Sequence, residues 1–309
     1  IAWPEMKKAG YNHSFAVGSI AGSACLGMLI PPSVLLIVWG IITEDSIGKL
    51  FVAGVIPGII LALFFALYNL FKAWRNPEIA PEPDSMGDIS KLTRNQVFSG
   101  LSIIGLIILV LGGIWGGIFT ATEAAGVGAL ASFFIALFKG MKWKGIVASV
   151  IDAGKTSAPI MILLITAGMY SRFLSLSDVD SLIVSAMQSA GLNEVMVLLM
   201  MVIIWLVLGM LLDSISIILL TVPLFILLIG DVNPYAFAIF GILAIEAGLL
   251  TPPFGLIVYT VKGVLSAGGD NIPLGLIFKG SIPYWIMMLI VMLLVILFPE
   301  LASWLTNFV

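Results

Sequence analysis

Histidine and cysteine are nearly absent: the 309 residues contain His13 and Cys25 and no second copy of either. One cysteine excludes an internal disulfide and any thiolate metal cage. One histidine excludes His-rich metal sites and most His-based catalysis. Charge is scarce as well. Fourteen Lys+Arg and 17 Asp+Glu make up 10% of the chain, against about 25% in a soluble domain. The net charge of -3 leaves no basic surface for nucleic acid. No Gly-x-Ser-x-Gly, His-Glu-x-x-His or Gly-x-x-x-x-Gly-Lys-Ser/Thr occurs. These absences argue against an enzyme and against an ATP-driven pump within this chain. The start, Ile1-Ala2-Trp3-Pro4, lacks a signal-peptide pattern and reads as a cut inside a larger protein.

What is present is apolar. Hydrophobic residues are 61% of the chain, and the mean hydropathy is +1.18. Such a chain cannot cover its surface with polar groups, so the expected class is an all-α integral membrane protein. Apolar stretches fall at roughly 14–43, 50–71, 97–119, 120–138, 146–170, 195–230, 235–265 and 275–298, where a span needs about 20 residues. Thirty-two glycines and 15 prolines point to broken helices. Pro31-Pro32 and Pro252-Pro253 interrupt the two long stretches 14–43 and 235–265. Each pair removes two backbone donors and breaks its helix. The hydrophilic stretch within 76–96 reads as a linker between two halves.

Lys and Arg set the orientation. Twelve of the 14 fall on one side if 156–190 is a re-entrant hairpin; Lys49 and Arg172 are the exceptions. That skew predicts a cytoplasmic linker and a periplasmic C-terminus. It also runs the first broken helix outward and the second inward.

The two broken stretches resemble each other. Gly27 through Ser33 parallels Gly248 through Phe254 at an offset of 221, and Gly54-Val55-Ile56-Pro57 parallels Gly280-Ser281-Ile282-Pro283 at an offset of 226. Chance is the plain alternative, but ordered Gly and Pro landmarks oppose it. Two copies in opposite orientations are the signature of an inverted-repeat secondary transporter. The expected boundaries are 1–75 for the C-terminal part of the first repeat, with broken helix 14–43 and scaffold helix 50–71. The linker 76–96 follows, then the second repeat over 97–309, with the hairpin at about 156–190 and broken helix 235–265. The repeat places about 120 residues upstream of Ile1, including a first hairpin.

Freed carbonyls and a hydroxyl make a hard-cation site of the size sodium needs. Gly27, Ile30 and Ser33 are candidates at the first break, and Gly248, Thr251 and Pro253 at the second, with Gly168 at the hairpin tip. The alternative is a structural kink. Hairpin tips also offer N–H groups to an anion. Ser23, Thr166, Ser171, Arg172 and Ser214 are the substrate candidates, and a surface amphipathic helix is the other reading of the hairpin. Arg172 pairs with a substrate carboxylate or with Asp178 or Asp180. Ser175 and Asp178 form a capping pattern, as do Thr120 and Glu123. Asp213 interrupts the apolar stretch 195–230. It is either a buried ion or coupling group or a residue at a break near an interface. Glu246, two residues before Gly248, is a supporting candidate.

These residues carry a family likeness. Pro4-Glu5-Met6-Lys7-Lys8 with Gly10-Tyr11, Gly27 through Ser33, and Ser46-Ile47-Gly48-Lys49-Leu50-Phe51 with Gly54-Val55-Ile56-Pro57-Gly58 form its first part. Gly117-Ile118-Phe119-Thr120-Ala121-Thr122-Glu123-Ala124-Ala125, Gly209-Met210 with Asp213, and Gly248 through Pro253 form the second. Together they resemble the large membrane subunit of a TRAP (tripartite ATP-independent periplasmic) transporter, of the ion-transporter-superfamily type, over essentially the whole chain. The family shows Pro where Ala121 stands. The resemblance implies two hairpins, two sodium sites, elevator-type movement and the bacterial inner membrane. Its implied partners are a small four-helix membrane subunit and a periplasmic substrate-binding protein that delivers an organic acid such as sialic acid or a C4-dicarboxylate. No cofactor beyond coupling sodium is implied. A stand-alone sodium- or proton-coupled symporter and an intramembrane enzyme are the alternatives.

Overall fold

In the computed structural model residues 2–81, 94–177 and 193–309 are described, with isolated positions between 182 and 191. Among the described residues every regular element is helical. The N-terminal part holds α1 (Ala2–Lys8), α2 (His13–Ala24), α3 (Leu26–Leu29), α4 (Val34–Thr43) and α5 (Ile47–Arg75). The middle holds α6 (Arg94–Trp115), α7 (Ala121–Phe138) and α8 (Trp143–Leu176). Then follow α9 (Glu194–Gly209), α10 (Ser214–Phe225), α11 (Pro234–Gly248), α12 (Leu256–Ala267), α13 (Leu274–Leu297) and α14 (Glu300–Ser303). Among the described residues five helices have the length and composition to cross a membrane, or six if His13–Leu29 and Val34–Thr43, bent by 40°, make one span.

Local sequence explains the starts. Asn12, Ser33, Ser46, Asn193, Asp213 and Asn233 each place a side-chain oxygen on N–H groups of the first turn they precede. Thr120 and Glu123 form the expected capping box of α7. The stretch 14–43 breaks between Leu29 and Val34, and 235–265 between Gly248 and Leu256. The stretch 195–230 is two helices separated at Met210–Asp213. A polar Asp-Ser pair can cap a new helix there more cheaply than it can cross an apolar core.

One expectation fails. The turn anticipated at Thr166–Arg172 is absent, because Trp143–Leu176 is a single helix of 34 residues. After Pro159 its sequence is mainly Ile, Leu and Met, with one glycine and no further proline, and Gly168 alone costs a helix only about 1 kcal/mol. Any return arm falls beyond Ser177, and Asp178 and Asp180 lie outside the described residues, as does most of the linker.

α11 is the axis of the packing. Every residue from Ala236 to Gly248 is buried, as expected of a helix that is apolar all round. It lies among α9, α13, α5 and α14. Trp39, Trp205, Phe225, Phe237 and Phe240 surround its first turns at ring separations of 5.1–6.4 Å. The Trp205 indole donates to Thr221 Oγ1 at 2.8 Å. α2 lies against α13 where two glycines meet: a Cβ on Gly280 would fall 2.1 Å from the Ser14 carbonyl oxygen. α6 and α7 instead pack chiefly on each other. Their outer faces expose Leu101, Ile103, Ile108 and Phe138, the composition of a lipid-facing surface.

α1 is tied to the loop after α12. Trp3 Nε1 donates to Asp270 Oδ2 at 2.7 Å and Lys7 Nζ to Asp270 Oδ1 at 2.5 Å. The Lys7 ammonium, and after it the Trp3 indole, hold the Asp270 carboxyl below its ordinary value. A carboxyl lowered in the folded state contributes stability above its unfolded value and loses it as the pH falls through the folded one. At neutral pH, Asp270→Asn therefore melts below wild type. The gap closes as the pH falls below about 4, the ordinary aspartate range. Thermal unfolding in detergent across pH reads this directly; a gap that is constant with pH contradicts it.

Candidate ion and substrate site

In a helix the N–H of residue i bonds the carbonyl of i−4. Pro31 and Pro32 have no N–H, so Gly27 and Met28 lose their donors. The Ser33 hydroxyl caps the Met28 carbonyl, and Ile30 N–H bonds Leu26 O at 2.8 Å. Among the described residues no hydrogen bond reaches the carbonyls of Gly27, Leu29 or Ile30. α5 comes close because it carries glycines there. A Cβ on Gly54 would lie 2.7 Å from Leu29 O, and one on Gly58 2.7 Å from Ile30 Cγ1. Gly27 and Ile30 are exposed and Ser33 is buried.

The second break resolves the same deficit differently. Pro252 and Pro253 deprive Gly248 and Leu249 of donors. Thr251 N–H takes Gly248 O at 2.9 Å, and Ile257 N–H takes Leu249 O at 3.2 Å. The carbonyls without a bond among the described residues are therefore those of Leu250, Thr251, Pro252, Pro253 and Phe254. The Thr251 hydroxyl donates to Ala247 O at 2.8 Å and accepts from Trp285 Nε1 at 3.0 Å. Gly248 is buried, and the backbone that reaches it belongs to α9: a Cβ on Gly209 would lie 2.6 Å from Gly248 Cα. Two residues without Cβ atoms let these helices touch. Gly168, the expected partner, is instead on α8, which packs on α10 and α4.

Between the two breaks lies a buried carboxyl. Glu246 is 1% exposed. The Ser214 hydroxyl donates to its Oε1 at 2.6 Å, while Oε2 has no hydrogen-bond partner. The Cys25 thiol points at the Glu246 carbonyl at 3.9 Å. Cys25 and Glu246 are themselves 221 residues apart, the offset that relates the two breaks. Ser214 thus sits with Glu246. Asp213 stays exposed and caps α10, accepting from Ser216 N at 3.1 Å and Ser216 Oγ at 2.5 Å. Of its two sequence readings, the structure shows the residue at a break.

The substrate candidates do not share one cavity. Thr166 lines a cavity of about 350 Å³ between α8 and α10 with Tyr170, Leu212 and Ser216. Its hydroxyl is turned back to Ile162 O and Leu163 O. Ser171 and the exposed Arg172 lie further along α8. Ser23 is exposed and bonds Ile20 O at 3.3 Å. Among the described residues no three His, Cys, Asp or Glu side chains gather around a metal position.

The profile of the DctM component of the tripartite ATP-independent periplasmic transporters matches residues 1–301. The chain belongs to this family. It is 31% identical to the C4-dicarboxylate TRAP transporter large permease protein DctM of Pseudomonas aeruginosa, over 98% of the chain and 70% of that protein. The ectoine large permease protein TeaC of Halomonas elongata is 31% identical, again over 98% and 70%. The sialic acid large permease protein SiaM of Vibrio cholerae is 28% identical over 96% and 68%. As a DctM-family member the chain is a transmembrane transport component and not an enzyme.

Sequence reasoning missed Trp285, and saw Gly209 only within a motif. One signal existed for Trp285: an indole N–H inside an apolar span must find an acceptor. Ser214 is the one hydrogen-bond donor to the Glu246 carboxyl among the described residues. Ser214→Ala leaves both Glu246 oxygens unsatisfied in a buried position and is expected to cost about 1–3 kcal/mol. Ser216→Ala, at the exposed cap, costs less. Chemical or thermal unfolding of the two variants in detergent checks the order; equal losses contradict it.

Proposed function

We propose that this DctM-family chain is the membrane-transport subunit for sodium-coupled uptake of an organic acid delivered by a periplasmic binding protein. A small four-helix membrane subunit completes the assembly in the bacterial inner membrane. The observation that carries the reading is the pair of Pro-Pro breaks, each leaving backbone carbonyls without hydrogen bonds. Such carbonyls at membrane depth are tolerated where they line a cavity or meet an ion. Gly27 and Ile30, with Ser33 as support, serve the first sodium. Thr251 and Pro253, with Gly248 supplying close approach, serve the second. Gly168 is retained as a lesser candidate from α8.

The inverted repeat, with boundaries 1–75, 76–96 and 97–309, gives the two states comparable energy and underlies an elevator-type movement. It is supported by corresponding contacts. α5 meets the first break through Gly54 and Gly58, and α13 meets the second through Trp285 and, at Gly255, Phe278. The linker faces the cytoplasm and the C-terminus the periplasm, on the Lys and Arg skew. Relatives named for C4-dicarboxylate, ectoine and sialic acid share this family, so substrate choice rests on individual side chains. Thr166, Ser171 and Arg172 on α8, with Ser23 and Ser214 at the helix breaks, are the group to test. Asp213 and Glu246 act by holding α10 and the second break in place.

Uptake into proteoliposomes by the full-length chain with its partner subunits is expected to need an inward sodium gradient and to ignore ATP. Thr251→Val removes one oxygen and raises the sodium concentration for half-maximal uptake. Uptake that is driven by ATP without sodium overturns the reading.

A further inference from the structure

We infer that Trp285 is a positioning residue for the cation site at the second break, and that it makes the two breaks unequal. The inference rests on the sodium reading of Thr251. A threonine hydroxyl has one proton and two lone pairs. The proton goes to Ala247 O at 2.8 Å and one lone pair receives the Trp285 indole N–H at 3.0 Å. A single lone pair is left for an ion, and its direction is fixed by two partners on two helices, α11 and α13. The indole is planar and half-buried, so its N–H aims where the packing of α13 aims it. Donation into Oγ1 also strengthens the bond that Oγ1 gives to Ala247. Without the indole, nothing on α13 orients the hydroxyl.

Among the described residues, the first break has no such contact from α5. Ile30 stands where Thr251 stands, at the offset of 221, and Ile59 stands where Trp285 stands, at the offset of 226. α5 meets Ile30 through the bare backbone of Gly58, and Ile59 is 52% exposed. The corresponding helices, α5 and α13, each meet the break of their own half, through the bare backbone of Gly58 in the first and through a hydrogen-bonding indole in the second. At the first break the Ser33 hydroxyl gives its proton to Met28 O and accepts from Leu36 N–H of the helix it caps, whereas at the second the Thr251 hydroxyl is oriented from a separate helix, α13.

The test compares Trp285→Phe, Trp285→His, Thr251→Val and Trp285→Phe with Thr251→Val, each in the full-length chain with its partner subunits in proteoliposomes. Trp285→Phe keeps the ring and loses the donor. It should raise the sodium concentration for half-maximal uptake about fivefold, the worth of one hydrogen bond, with KM for substrate at saturating sodium unchanged. Trp285→His, which keeps a ring N–H, should lie nearer wild type. The double variant should shift no further than Thr251→Val alone, since both act through one oxygen. A shifted curve for Thr251→Val with an unshifted one for Trp285→Phe overturns the positioning role and leaves the sodium reading intact. Equal shifts for Phe and His, or a KM change matching the sodium change, also overturn it. An unshifted Thr251→Val removes the sodium reading, and the inference with it.

Discussion

Four absent backbone donors shape this molecule. Pro31, Pro32, Pro252 and Pro253 lie inside apolar helical stretches, where water cannot replace the hydrogen bonds they forgo. The carbonyls four residues earlier must find other partners or stay open. At the first break the Ser33 side chain rescues one carbonyl and Gly27 remains open. At the second, backbone N–H groups from Thr251 and Ile257 rescue both, and among the described residues the open carbonyls lie within the break alone. The same deficit thus yields two differently composed sets of oxygens.

The breaks are held open by packing rather than by flexibility. α11 is buried along its whole core and enters the second break directly. Gly209 against Gly248, Gly54 against Leu29 and Gly280 against Ser14 bring backbones to distances no larger residue allows. Glu246, the one charged residue on α11, sits beside this crossing with Ser214 and Cys25. A carboxyl in that position is costly, and its bond to Ser214 ties the start of α10 to the helix that precedes the second break.

The breaks were legible because proline acts locally: two residues decide the fate of two carbonyls four positions away. The Thr120–Glu123 capping box was legible for the same reason. Asp213 was ambiguous, since a buried ion and a helix cap look alike when only the apolar flanks are seen. The turn near Gly168 was misread because a single glycine is too weak a signal against an Ile-, Leu- and Met-rich run. The Thr251–Trp285 contact joins residues 34 apart on separate helices, and no periodicity reports it. Gly209 was seen only as part of a motif, because its role depends on which helix crosses Gly248.

The central claim is that the proline breaks create cation sites. Its most direct measurement is the thermal stability of the purified full-length complex as choline is replaced by sodium at constant ionic strength. Any ion that binds only the folded state raises the melting temperature with its concentration. Wild type is predicted to be stabilised by sodium. The variant Pro252→Ala with Pro253→Ala, which returns N–H donors to the helix, is predicted to fold and lose that response. A wild type indifferent to sodium, or a folded Ala-Ala variant with an undiminished response, contradicts the account.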